Sequence, residues 1–262
     1  MYSLDQLGPL LQVISRTQAI LVGGQAVNFW SERYAQEASP WKELRPFTSV
    51  DVDLLGNQAD AKVCAEGTGG DLELPDAPAH TPNAAKVHCR QPAIDIDVLH
   101  TANGLNTAEA LQTAVHLRHA GLPLRVLHPA LCVESKTANL LTLDQTAAGR
   151  QDEKHLRLAL ANCREFLREL TQPGRPPDDL LRWAERLRTH ANTQAGLDIQ
   201  RRFQLDFQEA VPVVFWRQTK GALRQWCRDE APRWRDEVRQ KLQDLEEIQR
   251  WVRDLQRRPP RP

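Results

Sequence analysis

Two short stretches carry carboxylates at a spacing that could do chemistry. "SVDVDLLG" sets Asp51 and Asp53 two residues apart, and "AIDIDVLH" sets Asp95 and Asp97 likewise. Apolar and acidic residues alternate in both, the period of a β-strand, so within each stretch the carboxylates face one way, about 7 Å apart along the backbone. Like charges on one face repel unless something positive sits between them. Mg²⁺ (or Mn²⁺), a hard cation that takes a few carboxylates together with phosphate oxygens, answers that need. If the two strands lie side by side, they form the acidic cluster that two-metal phosphoryl or nucleotidyl transfer uses, with one ion activating the attacking oxygen and the other holding the triphosphate and leaving group.

A third stretch, "ILVGGQAVNFW" (residues 20–30), reads as a buried strand that breaks on Gly23-Gly24 and continues as a helix from Gln25. Glycines let backbone approach a ligand closely, and a helix start offers free N–H groups and a positive dipole end, which together make a seat for phosphate.

The elements that must position these groups are legible in outline. Leu4, Leu7, Leu10, Leu11 and Ile14 have helical spacing, predicting a helix over about 3–16. Between the acidic strands the pattern predicts a short helix, a weak strand, a Pro/Gly-rich loop and a strand near 85–90. After them come short strands near 113–117 and 123–127, a helix from Pro129 to about Leu143 and another from about Gln151 to Leu170. "TQPGRPPDD" cannot continue a helix and marks a boundary. Everything beyond it reads helical, ending in an amphipathic stripe of Trp234, Val238, Leu242, Leu245, Ile248, Val252 and Leu255 that packs on neighbours or on a second copy. The expected architecture is α/β (α+β), a mixed sheet flanked by helices over 1–172, followed by an all-helical domain over 173–262.

Composition narrows the setting. The five cysteines are odd in number and scattered, without a C-x-x-C pair, so neither a disulfide framework nor a cysteine zinc site is expected and a reducing compartment fits. No segment approaches the roughly 18 apolar residues of a membrane span, and the first residues lack a basic leader, so a soluble cytoplasmic protein is expected. Residues 1–174 hold 15 Lys/Arg against 20 Asp/Glu, whereas 175–262 hold 19 against 14. Such an asymmetry fits either a polyanionic partner or simple solvated helix surface. His116 and His119 have a spacing two zinc ligands use on a helix, but they fall where a strand is expected and no third ligand is near. Trp183, Trp216, Trp226, Trp234 and Trp251 could stack on bases; at helical spacing they read better as core anchors.

In order, Gly23-Gly24, "TSVDVDLL" and "IDIDVLHTANGLN" resemble the nucleotidyltransferase superfamily with a DNA polymerase β-like fold, whose pattern is a glycine turn, a D-x-D strand and a third acidic strand. "VLHPALCVESKTANLL" followed by "GRQDEKHL" is similar to the continuation in the AbiEii-like branch of abortive-infection and toxin-antitoxin nucleotidyltransferases. The resemblance covers about residues 18–165. It implies that Gly23 and Gly24 form the triphosphate turn and that Asp51 and Asp53 are metal ligands. Asp97 becomes the third carboxylate and base for the attacking hydroxyl, with Asp95 as the competing candidate. Gln25 stands where a serine often contacts phosphate. Lys136 becomes a phosphate partner, with Arg150 and Asp152 on the far wall; the plain alternatives are a solvated lysine and helix-capping residues. Gly24 and Asp51 lie 27 positions apart, so "EASPWKELRPF" is expected to form an extra loop, on the substrate side. The implied reaction is Mg²⁺-dependent transfer of NMP from NTP to an acceptor hydroxyl on RNA or protein, in a toxin-antitoxin or phage-defence setting with a cognate antitoxin. The alternatives are a degenerate relative that binds nucleic acid or protein, and a small-molecule enzyme of the aminoglycoside-modifying kind.

Overall fold

The structure, a computed structural model, describes residues 1–35, 40–75, 82–171 and 176–256, with the side chains of 254–256 left aside. The chain divides into two compact units, Met1–Phe166 and Leu167–Pro262. In the first, the elements run α1 (Gly8–Ile14), β1 (Ile20–Leu21), α2 (Gly23–Tyr34), β2 (Val52–Leu55), α3 (Gln58–Thr68), β3 (Asp71–Glu73), β4 (Asn83–Arg90), β5 (Ala93–Leu99), α4 (Thr107–Thr113), β6 (Val115–His119), β7 (Leu122–Val126), α5 (Pro129–Thr142) and α6 (Asp152–Leu170), the last of which crosses into the second unit. The strands form one mixed sheet in the order β3-β4-β5-β2-β1-β7-β6. β2 runs parallel to β5 and β1 to β7, while the other neighbours are antiparallel.

Period-two patterning decides which side chains meet. On β5, Ile94, Ile96 and Val98 are buried while Asp95 and Asp97 face the other way. Their partners in register, Cys89, Val87 and Ala85 on β4 and Val52 and Leu54 on β2, share the apolar face, because residues directly opposite in a pleated sheet point to the same side. α3 packs against β4, and α1 packs against α3. Asn57 starts α3 with a capping box: its side chain accepts from the Ala59 and Asp60 amides, and Asp60 accepts from the Asn57 amide in return. α2 packs on β2 and on α5, and is buried along nearly its whole length from Gly24 to Ser31. Trp30 on α2 donates to the Leu127 carbonyl at 2.9 Å, tying the helix to the end of β7.

Several expectations change. α2 begins at Gly23 rather than Gln25, so the glycines are the first helical residues. An unexpected helix, α4, occupies 107–113 and overlaps the start of the strand expected near 113–117. Asn106 caps it, accepting from the Glu109 amide, and the following strand is displaced to 115–119. His116 and His119 lie three apart on that strand and so face opposite sides; the zinc spacing is not used. The expected extra loop lies partly outside the described residues. Within it, Trp41 is buried and donates to Asn162 Oδ1, and Phe47 is buried. Residues 40–47 are thus pinned to the core and do not line the cavity that holds the aspartates.

The second unit is helical, with α7 (Pro177–Ala191), α8 (Gln194–Phe203), α9 (Val213–Trp216) and α10 (Ala222–Gln256). Trp183, Trp216, Trp226 and Trp234 are buried, with Trp226 packed edge-on to both Trp216 and Trp234, so four of the five tryptophans that could have stacked on bases are core anchors. Trp251 is the exception, 62% exposed beside Ile248 and Val252. Along the described part of the stripe on α10, Trp234 and Val238 are buried, Leu242 and Leu245 half-buried, and Ile248 and Val252 exposed. No helix among the described residues is long and apolar enough to cross a membrane, and all five cysteines are free and buried.

Candidate active site

The parallel register of β2 and β5 sets Asp53 directly opposite Asp97, and Asp51, one residue before β2, faces the same way. Carboxylate oxygens of Asp51, Asp53 and Asp97 all lie within 4.8 Å of one another, the only grouping of three or more metal-ligating side chains among the described residues. β1 pairs with the other edge of β2, and the Val22 amide donates to the Asp53 carbonyl. Gly23 follows at once, with φ +62°. A Cβ there would lie 1.8 Å from Asp53 Oδ2, so glycine is required twice over, by the left-handed backbone and by the carboxylate packed on it. At Gly24 a Cβ would meet Ser49 Oγ at 2.6 Å and His155 Cε1 at 3.0 Å. Ser49 Oγ donates to Asp51 Oδ1 at 3.1 Å, which orients the first carboxylate.

These residues open onto a cavity of about 870 Å³, bounded on one side by the glycine turn and the aspartates and on the other by α5 and residues 147–152. Its electrostatics follow from crowding. Burial, then the neighbouring Asp51, push the Asp53 pKa up to about 7, with Asp97 adding to the rise and Lys136 and Arg150 opposing it. Asp97 is also raised, first by burial and then by Asp51 and Asp95, against the pull of Lys86. The cluster thus holds more negative charge than its own side chains neutralise.

On the far wall, Lys136 Nζ donates to Asp152 Oδ1 at 2.9 Å, and both side chains are almost fully buried. Asn139 donates to the same oxygen at 3.3 Å, and Arg150 Nη1 lies 3.3 Å from Oδ2. Burial works to raise the Asp152 pKa, but these cations and hydrogen bonds outweigh it and hold the carboxyl below its ordinary value. Lys136 is therefore neither a solvated lysine nor a free phosphate hook: its ammonium is engaged by a buried carboxylate while it borders the cavity. His155, one turn along α6 from Asp152, is buried; burial first, then the charge of Lys136, push its pKa down to about 3, so it is neutral at any ordinary pH. Its Nε2 has no hydrogen-bond partner.

Of the residues singled out from sequence, Gly23, Gly24, Asp51, Asp53, Asp97, Lys136, Arg150 and Asp152 all line this cavity. Two do not. Gln25 points away: its Nε2 donates to the Tyr2 carbonyl and its Oε1 accepts from Asn28. Because α2 is enclosed almost all round, the side chain of its third residue faces the N-terminal segment and satisfies polar groups there, away from the cavity. Asp95 lies 2.9 Å from His88 Nδ1 and 3.0 Å from Lys86 Nζ, outside the cluster. Burial works to raise its pKa, but the bonds from His88 and Lys86 prevail and keep it below its ordinary value. Ser49, His155 and Lys86 were not foreseen. Ser49 had a signal in its place two residues before Asp51; Lys86 had none, since only the β4–β5 register brings it to Asp97.

The cavity suits a divalent cation on one independent count: Asp97 Oδ1 is buried and accepts no hydrogen bond, with Lys86 Nζ 3.6 Å away. An oxygen-only donor set of three carboxylates, open to further oxygens from the cavity, matches what Mg²⁺ takes. The fold and site together define a mixed α/β unit with an acidic cluster at a glycine-started helix. No protein-family model matches the chain and no curated protein matches it.

Proposed function

We propose that the first unit is a nucleotidyltransferase of the DNA polymerase β-like fold that moves a nucleoside monophosphate from an NTP to an acceptor hydroxyl. One observation carries this reading: Asp51, Asp53 and Asp97 converge within 4.8 Å beside Gly23-Gly24, in a cavity large enough for a nucleotide. Asp51, Asp53 and Asp97 would hold Mg²⁺, which supplies charge neutralisation for the triphosphate and the leaving pyrophosphate.

The chain's own groups fill the remaining roles. The first amides of α2, with the dipole behind them, face phosphate at Gly23 and Gly24. Asp97, the carboxylate opposite Asp53 in the cavity lining, is the acceptor that would orient or take the proton of the attacking hydroxyl. The Lys136–Asp152 pair, fixed by Asn139 and Arg150, builds a polar wall whose positive groups make the potential that a polyphosphate would meet more positive. Isothermal titration of an NTP with Mg²⁺ into the wild type and the Asp51→Ala/Asp53→Ala variant tests the reading. Binding by the wild type that the variant loses is expected; equal affinity in both sinks the proposal.

A further inference from the structure

Lys86 stands between two carboxylates that compete for it. The antiparallel β4–β5 register sets Lys86 opposite Asp97 and His88 opposite Asp95, all on the polar face of the sheet. Lys86 Nζ lies 3.0 Å from Asp95 Oδ2 and 3.6 Å from Asp97 Oδ1, and that second oxygen is the buried one without a hydrogen bond. Asp95 is itself held in place: His88 bridges it, 2.9 Å from Asp95 Oδ1 through Nδ1 and 2.9 Å from Glu73 Oε2 through Nε2. The ammonium therefore has a firm partner on one side and, on the other, a carboxylate of the cluster at longer range.

We propose that Lys86 is a tethered counter-cation that shares Asp97 in the ion-free protein and moves fully onto Asp95 when a divalent cation binds. Asp95 is then the resting place for the displaced charge, which accounts for a second aspartate on β5 outside the cluster. No bond is made or broken in this step; one cation replaces another at Asp97. The inference rests on the metal reading of the cluster and adds a regulating group to it. Lys86 is a positioning residue: it touches the third carboxylate, not the reacting atoms.

The test is Mn²⁺ affinity, read by electron paramagnetic resonance or calorimetry on the full chain, in Lys86→Met, Asp95→Asn and the double variant. Removing the competitor tightens Mn²⁺ in Lys86→Met by about tenfold, the gain expected if Lys86 covers Asp97 in nine of ten ion-free molecules. Asp95→Asn, which leaves Lys86 nowhere else to go, weakens it. In the double variant the Asp95 change has almost no further effect, because the group it served is gone. Arg90→Met, the same charge change on β4 at a residue paired with Asp71, leaves affinity within about twofold and controls for long-range charge. Additive effects of the two substitutions, or a Lys86→Met gain matched by Arg90→Met, overturn the inference while the metal reading stands. Absence of Mn²⁺ binding by the wild type overturns both. Circular dichroism and melting of each variant separate misfolding from altered affinity, and if Lys86→Met fails to fold, Lys86→Gln carries the same cycle.

Discussion

Replacing Asp53 by Asn should make the protein more stable at pH 8 while disabling its candidate site. The pKa of Asp53 stands at about 7 against an ordinary value of 3.8, driven first by burial and then by Asp51. Between those two pH values the folded chain binds the proton and the unfolded chain does not, so this group's contribution to stability falls as pH rises and its full cost is present above pH 7. At about 1.4 kcal/mol per pH unit, the span from 3.8 to about 7 sets a ceiling of about 4 kcal/mol. The cleft opens to water and the strain is shared with Asp51 and Asp97, so a realised gain of about 1–3 kcal/mol is expected.

Asn is neutral at every pH and isosteric with the protonated acid. Asp53→Asn should therefore melt above the wild type at pH 8, by about 2–4 °C for each kcal/mol in a unit of this size, and by less than half of that gap at pH 5, where only the lower part of the span from 3.8 to about 7 has been crossed. Scanning calorimetry of both proteins at the two pH values measures the gap, and the comparison between variants cancels the titration of groups away from the cluster. Millimolar Mg²⁺ at pH 8 should raise the wild type and leave Asp53→Asn unmoved. A gap of the same size at pH 5 and pH 8, or a variant less stable than the wild type at pH 8, would refute the reasoning that crowded charge at this position strains the fold.

Two further perturbations probe the walls of the cavity. Gly23→Ala and Gly69→Ala impose the same backbone strain, since both residues have φ +62°, but a Cβ at Gly69 meets nothing within 4 Å while one at Gly23 collides with Asp53. Gly69→Ala should cost about 1–2 kcal/mol in urea denaturation, Gly23→Ala should cost more and also abolish Mn²⁺ binding, and equal costs would show that the carboxylate does not rest on the glycine. Lys136→Met leaves the buried Asp152 only Arg150 and Asn139 and should lose about 2–4 kcal/mol, whereas Lys136→Met with Asp152→Leu recovers most of that loss. A single variant that loses under about 1 kcal/mol would mean the pair is not closed in solution.

Much of the architecture is legible because it is written in periodicity. The alternation in "AIDIDVLH" specifies a strand with an acidic face wherever that strand lies in the sheet, and three prolines and a glycine in "TQPGRPPDD" interrupt a helix whatever surrounds it. The mixed sheet flanked by helices follows from such local signals. α4 was missed although "NTAE" places Asn106 three residues before Glu109, because a seven-residue helix has too few turns for its apolar spacing to stand out against the strand that follows. Gln25 misled for a different reason: its place after two glycines is a local fact, whereas the direction of its side chain depends on Tyr2, which a long-range bridge to Ser49 holds against α2.

The choice between Asp95 and Asp97 shows where one-dimensional reasoning stops. Both sit on β5 two residues apart, face one way and are followed by an apolar residue, so nothing along the chain separates them. Pairing does: β2 ends its register with β5 at Val52 opposite Ile96, so Asp97 gains Asp53 as its neighbour while Asp95 lies beyond the paired stretch. On the other edge β4 supplies His88 to Asp95 and Lys86 to both. One carboxylate is buried beside further carboxylates and has its pKa raised, while the other, held by His88 and Lys86, has its pKa lowered. Two aspartates with nearly the same local sequence acquire opposite electrostatics from the strands beside them, and that divergence is why the proposed cation is placed on Asp97 and not on Asp95.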